Sequence, residues 1–146
     1  MIGEEEITNS IVRFLKSNGW DVFAFDFPQS GTGISLKENG SNKEKNRGSI
    51  NPDIIATKGD ILLIMENKPN FFKKDIEKLQ GVKDGKYSES ISKHFPNLKY
   101  SRIATGIGLS YTDANYRKTI EQKESIEAYV FVNEDTSVSN LSRLPI

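Results

Sequence analysis

Asp53, Glu66 and Lys68 are the residues whose types and spacing could do chemistry in this chain. Asp53 follows Pro52, twelve residues separate it from Glu66, and one residue separates Glu66 from Lys68. Side chains alternate faces along a β-strand, so Glu66 and Lys68 project to one side and Asn67 to the other. Residues 50–57 are rich in β-branched side chains, and Lys58-Gly59-Asp60 supplies a turn before the apolar run Ile61 to Met65. Asp53 is then expected on one arm of a hairpin, with Glu66 and Lys68 on the other. With neighbouring strands about 4.8 Å apart, a register placing Asp53 beside Glu66 is feasible. Two carboxylates and an amine so placed could share a metal-activated water, which is the chemistry of phosphodiester hydrolysis.

A hairpin carrying these charges on a solvated face is the alternative. Against it stands the second strand, where Ile61, Leu62, Leu63, Ile64 and Met65 are apolar on both faces. Such a run suits a strand covered on both sides. Charged groups at its end are costly to desolvate unless they bind something.

Pro52-Asp53, Glu66 and Lys68 resemble the PD-(D/E)XK signature of the restriction-endonuclease-like nucleases, archaeal Holliday-junction resolvases among them. The order of features in residues 1–110 is similar too. An early glutamate helix (Glu4-Glu5-Glu6) is followed by a strand, a Gly/Ser loop (Ser30-Gly31-Thr32-Gly33), a PDII-type strand and a strand ending in Glu66-Asn67-Lys68. The long insertion before Pro52 departs from the resolvases' spacing. The resemblance implies an α/β fold with a restriction-endonuclease-like αβββαβ core, a central mixed β-sheet flanked by helices. It also implies Mg²⁺, with Mn²⁺ able to substitute, held by Asp53, Glu66 and the backbone carbonyl of Asn67. Lys68 would orient the water and stabilise developing charge. By the same resemblance Glu4 or Glu5 reaches the metal site, Ser30 lies near the catalytic centre, and Gln80 is a helix glutamine of the site.

Those positions must be set by the surrounding elements. Residues 4–17 read as a helix with Ile7, Ile11, Phe14 and Leu15 at helical spacing and Asn18-Gly19 as its stop. Glu4 falls on the apolar face and Glu5 to one side, although acidic residues in a first turn also offset the helix dipole and need no other role. Residues 20–27 read as a strand, and 28–49 as a polar loop long enough to be functional. Residues 71–82 read as a helix with Phe72, Ile76 and Leu79 on one face, and an ordinary polar helix position is the other reading of Gln80. A second helical piece over 86–95, a strand over 100–109, a helix over 112–124 capped by Thr112 or Asp113, and a strand over 126–133 follow. His94, the sole histidine, reads as structural or exposed. The polar tail is expected to be loosely ordered or to help form a dimer.

A chain of 146 residues suits one domain, here residues 1–146. With no cysteine there is neither a disulfide nor a zinc-thiolate site. No apolar run approaches the ~20 residues of a membrane span, and the acidic start is unlike a signal peptide, so a cytoplasmic protein without a membrane partner is expected. The net charge is zero, which counts against nucleic-acid binding. The distribution counts for it: Lys37, Lys43, Lys45 and Arg47 precede Asp53, and Lys68, Lys73, Lys74 and Lys78 follow Glu66. Ser30, Lys43, Lys45, Arg47, Lys73 and Lys74 are the candidate DNA contacts, a solvated loop and an ordinary charged helix being the bland reading. The expected activity is Mg²⁺-dependent DNA cleavage of the restriction type. A structure-specific nuclease such as a junction resolvase, or a non-cutting nucleic-acid-binding protein of the same fold, are the alternatives. Cutting both strands of a duplex calls for two sites, hence a homodimer or a partner subunit.

Overall fold

The apolar run after Gly59 becomes an interior strand of the sheet. In the computed structural model, which describes residues 2–25, 33–40 and 49–146, the elements are α1 (Glu4–Ser17), β1 (Asp21–Phe25), β2 (Ile54–Lys58), β3 (Ile61–Lys68), α2 (Lys73–Lys83), α3 (Ser88–His94), β4 (Arg102–Ser110), α4 (Asp113–Glu121), β5 (Ala128–Val132) and β6 (Val138–Ser142). The six strands form one mixed sheet in chain order, antiparallel from β1 to β3, parallel from β3 to β5 and antiparallel again at β6. The molecule is therefore mixed α/β. Among the described residues no helix is long and apolar enough to cross a membrane.

Strand alternation divides the core in two. Leu63 and Met65 of β3 pack with Ile7, Ile11 and Leu15 of α1. Leu62 and Ile64 pack on the opposite face with Ile76, Leu79 and Val82 of α2 and Ile91 of α3. All four β3 side chains are fully buried, each worth about 1.5–3 kcal/mol of hydrophobic stabilisation. By this parity Glu66 and Lys68 face the α2 side and Asn67 faces α1.

Several boundaries differ from the sequence expectation. Lys58 pairs with Ile61, so the turn is only Gly59-Asp60, with Gly59 at φ 60° supplying the left-handed residue such a tight hairpin needs. Residues 50–57 do not form one strand. Ile50 makes an isolated bridge to Leu36, and β2 starts at Ile54, because Pro52 has no N–H to donate to a ladder. Helix α2 starts at Lys73, leaving Phe72 as an exposed N-cap residue rather than part of the buried face. Of the two proposed caps of α4, Thr112 serves: its hydroxyl accepts from Asn115 N–H at 3.0 Å. The tail is not loose, for Val138–Ser142 pairs with β5 as an edge strand. Its side chains lie mostly in solvent, so no apolar alternation announced it.

Candidate active site

The site forms where β2 stops and β3 continues. Ile54 pairs with Met65, and Asp53 N–H still donates to the Met65 carbonyl at 2.9 Å. Beyond that point Pro52 carries the chain away, so the next outward N–H of β3, that of Asn67, has no strand partner. The Asp53 carboxylate takes that place, accepting the Asn67 N–H at 2.7 Å. An N–H and C=O of one strand residue point to the same edge, so the Asn67 carbonyl faces the same opening. The Asn67 side chain turns to the other face, where its amide donates to the Thr8 hydroxyl of α1 at 3.0 Å.

Glu66 projects toward α2 beside Asp53, and both are buried, at 4% and 7% exposure. The two carboxyls lie within hydrogen-bonding reach of each other. Burial raises Asp53 from the usual 3.8 to about 9, Glu66 pushes the same way, and Glu4 adds a smaller push. Burial also raises Glu66, against the opposing pull of Lys78. Burial thus pushes both carboxyls toward their neutral forms. A group of buried like charges held this close is costly, which is the usual signature of a binding or catalytic centre.

The amine on Glu66 is Lys78, not Lys68. Lys78 Nζ lies 3.2 Å from Glu66 Oε1 and 3.8 Å from Asp75 Oδ1. Its own burial lowers its pKa, but Glu66, Asp75 and Asp53 together more than offset this and the net shift is upward. Lys68, the last residue of β3, reaches the other way, to Asp75 Oδ1 at 2.9 Å, with its ammonium 4.7 Å from the centre of the Phe72 ring. Asp75 is almost fully buried and bridges the two ammonium groups. Sequence reasoning placed Lys78 only in a basic rim and gave Asp75 no role. The signal was present, since both flank the Ile76/Leu79/Val82 stripe one turn apart, but using it required the rotation of α2 over β3.

Of the expected glutamates, Glu4 is half-buried and acts electrostatically on Asp53, while Glu5 is exposed. Of the two, only Glu4 figures among the charges that act on Asp53. Gln80 is exposed too. Two residues past Lys78 on a helix, at about 100° per residue, it points to the far side of α2, so α2 sends Asp75 and Lys78 to the site instead. Lys73 and Lys74 are exposed in the first turn of α2. Ser30, Lys43, Lys45 and Arg47 lie outside the described residues. His94 is exposed, with its ring Nε2 3.1 Å from the Ser35 carbonyl.

Could these residues hold a divalent metal? Two carboxylates and a backbone carbonyl share one opening, all hard oxygen donors, and their crowded negative charge is what a cation would relieve. Among the described residues no group of three or more His, Cys, Asp or Glu converges to hold an ion. That donor set fits an ion such as Mg²⁺, which binds one or two carboxylates and keeps several waters. Searches against protein-family models, curated proteins and solved structures found no match to this chain.

Proposed function

We propose that this protein is a Mg²⁺-dependent endodeoxyribonuclease of the restriction-endonuclease-like kind. One observation carries the reading: Asp53 and Glu66, far apart in sequence, meet at the open end of the β2–β3 ladder as a buried pair with raised pKa values. The α-β-β-β-α order that brings them there, continued by β4 parallel to β3, supports the same family.

Held by Asp53, Glu66 and the Asn67 carbonyl, Mg²⁺ would supply an activated water and neutralise charge on the scissile phosphate. The chain's own residues do the rest. Asp53 is fixed by the Asn67 N–H, which holds its carboxylate beside that of Glu66. Lys78 holds Glu66 and Asp75 in place against their mutual repulsion. Lys68, a third exposed, presents an ammonium beyond Glu66, where it can stabilise charge developing on a phosphate.

The test is incubation with plasmid DNA and with synthetic four-way junctions, in Mg²⁺, Mn²⁺, Ca²⁺ or EDTA. Cleavage in Mg²⁺ and Mn²⁺, little in Ca²⁺ and none in EDTA is expected. Equal cleavage in EDTA would remove the metal from the reading, and metal-dependent DNA binding without any cutting would favour the non-cutting alternative. Lys68→Ala is expected to cut about a hundred- to a thousandfold more slowly while still binding DNA with metal present. A wild-type rate for that variant would leave Lys68 out of the chemistry.

Restriction-type cleavage of intact duplex requires base reading from a groove, for which the sequence offers only the polar loop of residues 28–49. Exposed aromatic side chains beside the site favour the second reading, cleavage directed by DNA structure.

A further inference from the structure

Three rings are left in solvent on the α2 side of the sheet, at the ends of β3 and β4: Phe72, Tyr111 and Tyr116, exposed by 46%, 43% and 39%. Tyr111 and Tyr116 stand 6.2 Å apart, centre to centre, and both rest on Phe131 at 5.8 and 5.7 Å. Phe72 lies under the Lys68 ammonium, on the strand that carries Glu66. These rings are held in register by Asn115. Its side-chain oxygen accepts from Phe71 N–H at 3.0 Å, and its amide donates to the carbonyls of Pro69 and Ser110, each at 2.8 Å. One buried amide therefore ties together the segment before Phe72, the residue before Tyr111 and the residue before Tyr116.

We infer that Phe72, Tyr111 and Tyr116 form a stacking site for unpaired bases of a DNA strand that passes the Asp53–Glu66 site. The inference rests on the nuclease reading and gives it a substrate class: DNA with single-stranded or unstacked nucleotides beside the cut. Every base has a π-face, so aromatic rings beside cations bind single strands with little regard for sequence. The cations are here. Lys68 lies over Phe72, and Lys73 and Lys74 follow it in the first turn of α2, where positive charge opposes the helix dipole and adds nothing to helix stability. A phosphate backbone would neutralise Lys73 and Lys74 and join Asp75 on Lys68. An apolar protein partner covering the same rings would have to desolvate them instead, which disfavours that occupant.

Affinity for labelled DNA in Ca²⁺ tests this, using a blunt duplex, the same duplex with an unpaired tail, and oligo-dT. The wild type is expected to prefer the tailed duplex and oligo-dT over the blunt duplex. Phe72→Ala and Tyr116→Ala should each weaken binding to the tailed duplex by about five- to a hundredfold, leaving blunt-duplex affinity unmoved. Tyr116→Phe, which keeps the ring, should bind as wild type does. So should Ile120→Ala, which removes an exposed apolar side chain one turn beyond Tyr116. If circular dichroism finds an alanine variant unfolded, Phe72→Leu and Tyr116→Leu keep apolar volume without a ring and carry the same expectation. Equal losses on blunt and tailed DNA, or none on either, would overturn the stacking site. So would altered self-association in the ring variants with DNA affinity intact, which would assign the rings to a second copy of the chain. If Mg²⁺-dependent cleavage persists through such results, only the stacking site falls; if the protein neither binds nor cuts any of these DNAs, the nuclease reading falls first.

Discussion

The sheet contains two hairpins built on opposite principles. In β2–β3 the turn is relaxed and the open end is loaded: Gly59 takes the left-handed position at φ 60°, while Asp53 and Glu66 crowd together in the interior. In β5–β6 the open end carries oppositely charged pairs, Lys83 with Glu127 and Arg143 with Glu124, and the turn is loaded. Thr136 occupies the left-handed region at φ 66°, and the hairpin's aspartate, Asp135, is in solvent. The two aspartates respond oppositely. The Ser137 hydroxyl and backbone N–H, the latter at 3.0 Å, donate to Asp135 and lower its pKa, whereas burial carries Asp53 up to about 9. Asp135 serves its own turn and improves local stability. Asp53 opposes stability, and crowding of this kind is a cost to the fold that binding at the proposed site would offset.

The largest effect should come from neutralising the first hairpin's pair without changing its shape. Asp53→Asn and Glu66→Gln are each expected to reduce Mg²⁺-dependent cleavage at least about a hundredfold by removing a metal ligand. The asparagine oxygen can still accept the Asn67 N–H, so Asp53→Asn should melt at or above the wild-type temperature in EDTA. Asp135→Asn should leave cleavage unchanged. Unfolding of Asp53→Asn would make the two aspartates alike as structural groups, and the contrast would be lost.

The same pair predicts how stability follows pH. The unfolded chain sheds the Asp53 proton near 3.8 and the folded protein keeps it to about 9, so across that window the folded state binds more protons. Stability from this group is full at the acidic end and is lost as pH rises toward about 9. Metal-free protein should therefore melt at progressively lower temperature from pH 5 to pH 9. Added Mg²⁺ should flatten the trend by favouring the ionised pair, and Asp53→Asn should abolish most of it in EDTA. A metal-free melting temperature that climbs over this range would contradict the raised pKa.

How much of this was legible in the sequence follows from the same contrast. The β2–β3 hairpin could be read because Ile61 to Met65 is apolar on both faces and Gly59 marks the turn, so the strand followed from period, and spacing made a register with Asp53 beside Glu66 feasible. Edge strand β6 could not, since Ser139, Asn140 and Leu141 all face solvent and its turn uses Thr136 where a glycine would have signalled it. The lysines illustrate a different limit. Strand parity put Lys68 on the face of Glu66, correctly, but parity says nothing of which partner a long side chain takes. The buried Asp75 drew Lys68 away and left Lys78 to meet Glu66. Tertiary placement of a helix decides that, and no local pattern encodes it.

Asn67 offers an intermediate effect, because it seats the first hairpin on α1. Its side-chain oxygen packs against Gly108 of β4 and has no hydrogen-bond partner among the described residues. A methyl group at Gly108 would overlap both that oxygen and Ile11 Cδ1. Gly108→Ala is expected to cost about 1–3 kcal/mol in urea unfolding and to slow cleavage by shifting Asn67. At Gly106, two residues earlier, the nearest contact would be 3.1 Å to the flexible Met65 side chain, so Gly106→Ala should cost less. Equal costs at the two glycines would mean that the seat beneath Asn67 is not tight.

The smallest effect, and the cleanest reversal, lies in the two turns. A β-branched residue at positive φ is strained by about 1–2 kcal/mol, since its Cβ crowds the following carbonyl. Thr136→Gly relieves that strain but lets the unfolded chain gain about 0.4–1 kcal/mol of conformational freedom, so the net gain in stability should lie between about 0 and 1.6 kcal/mol. Gly59→Thr runs the other way. A Cβ at Gly59 would meet no neighbouring atom, so its cost is backbone strain alone, partly offset by a stiffer unfolded chain, and should come to about 1 kcal/mol. Neither turn touches the acidic pair, so cleavage should hold in both variants. Urea unfolding of the two single variants and the double variant checks this, the hairpins being far enough apart for their effects to add. If Thr136→Gly is instead destabilising, the threonine side chain contributes more to the β5–β6 turn than its backbone angle costs, and the second hairpin is not strained where its dihedral angle says it is.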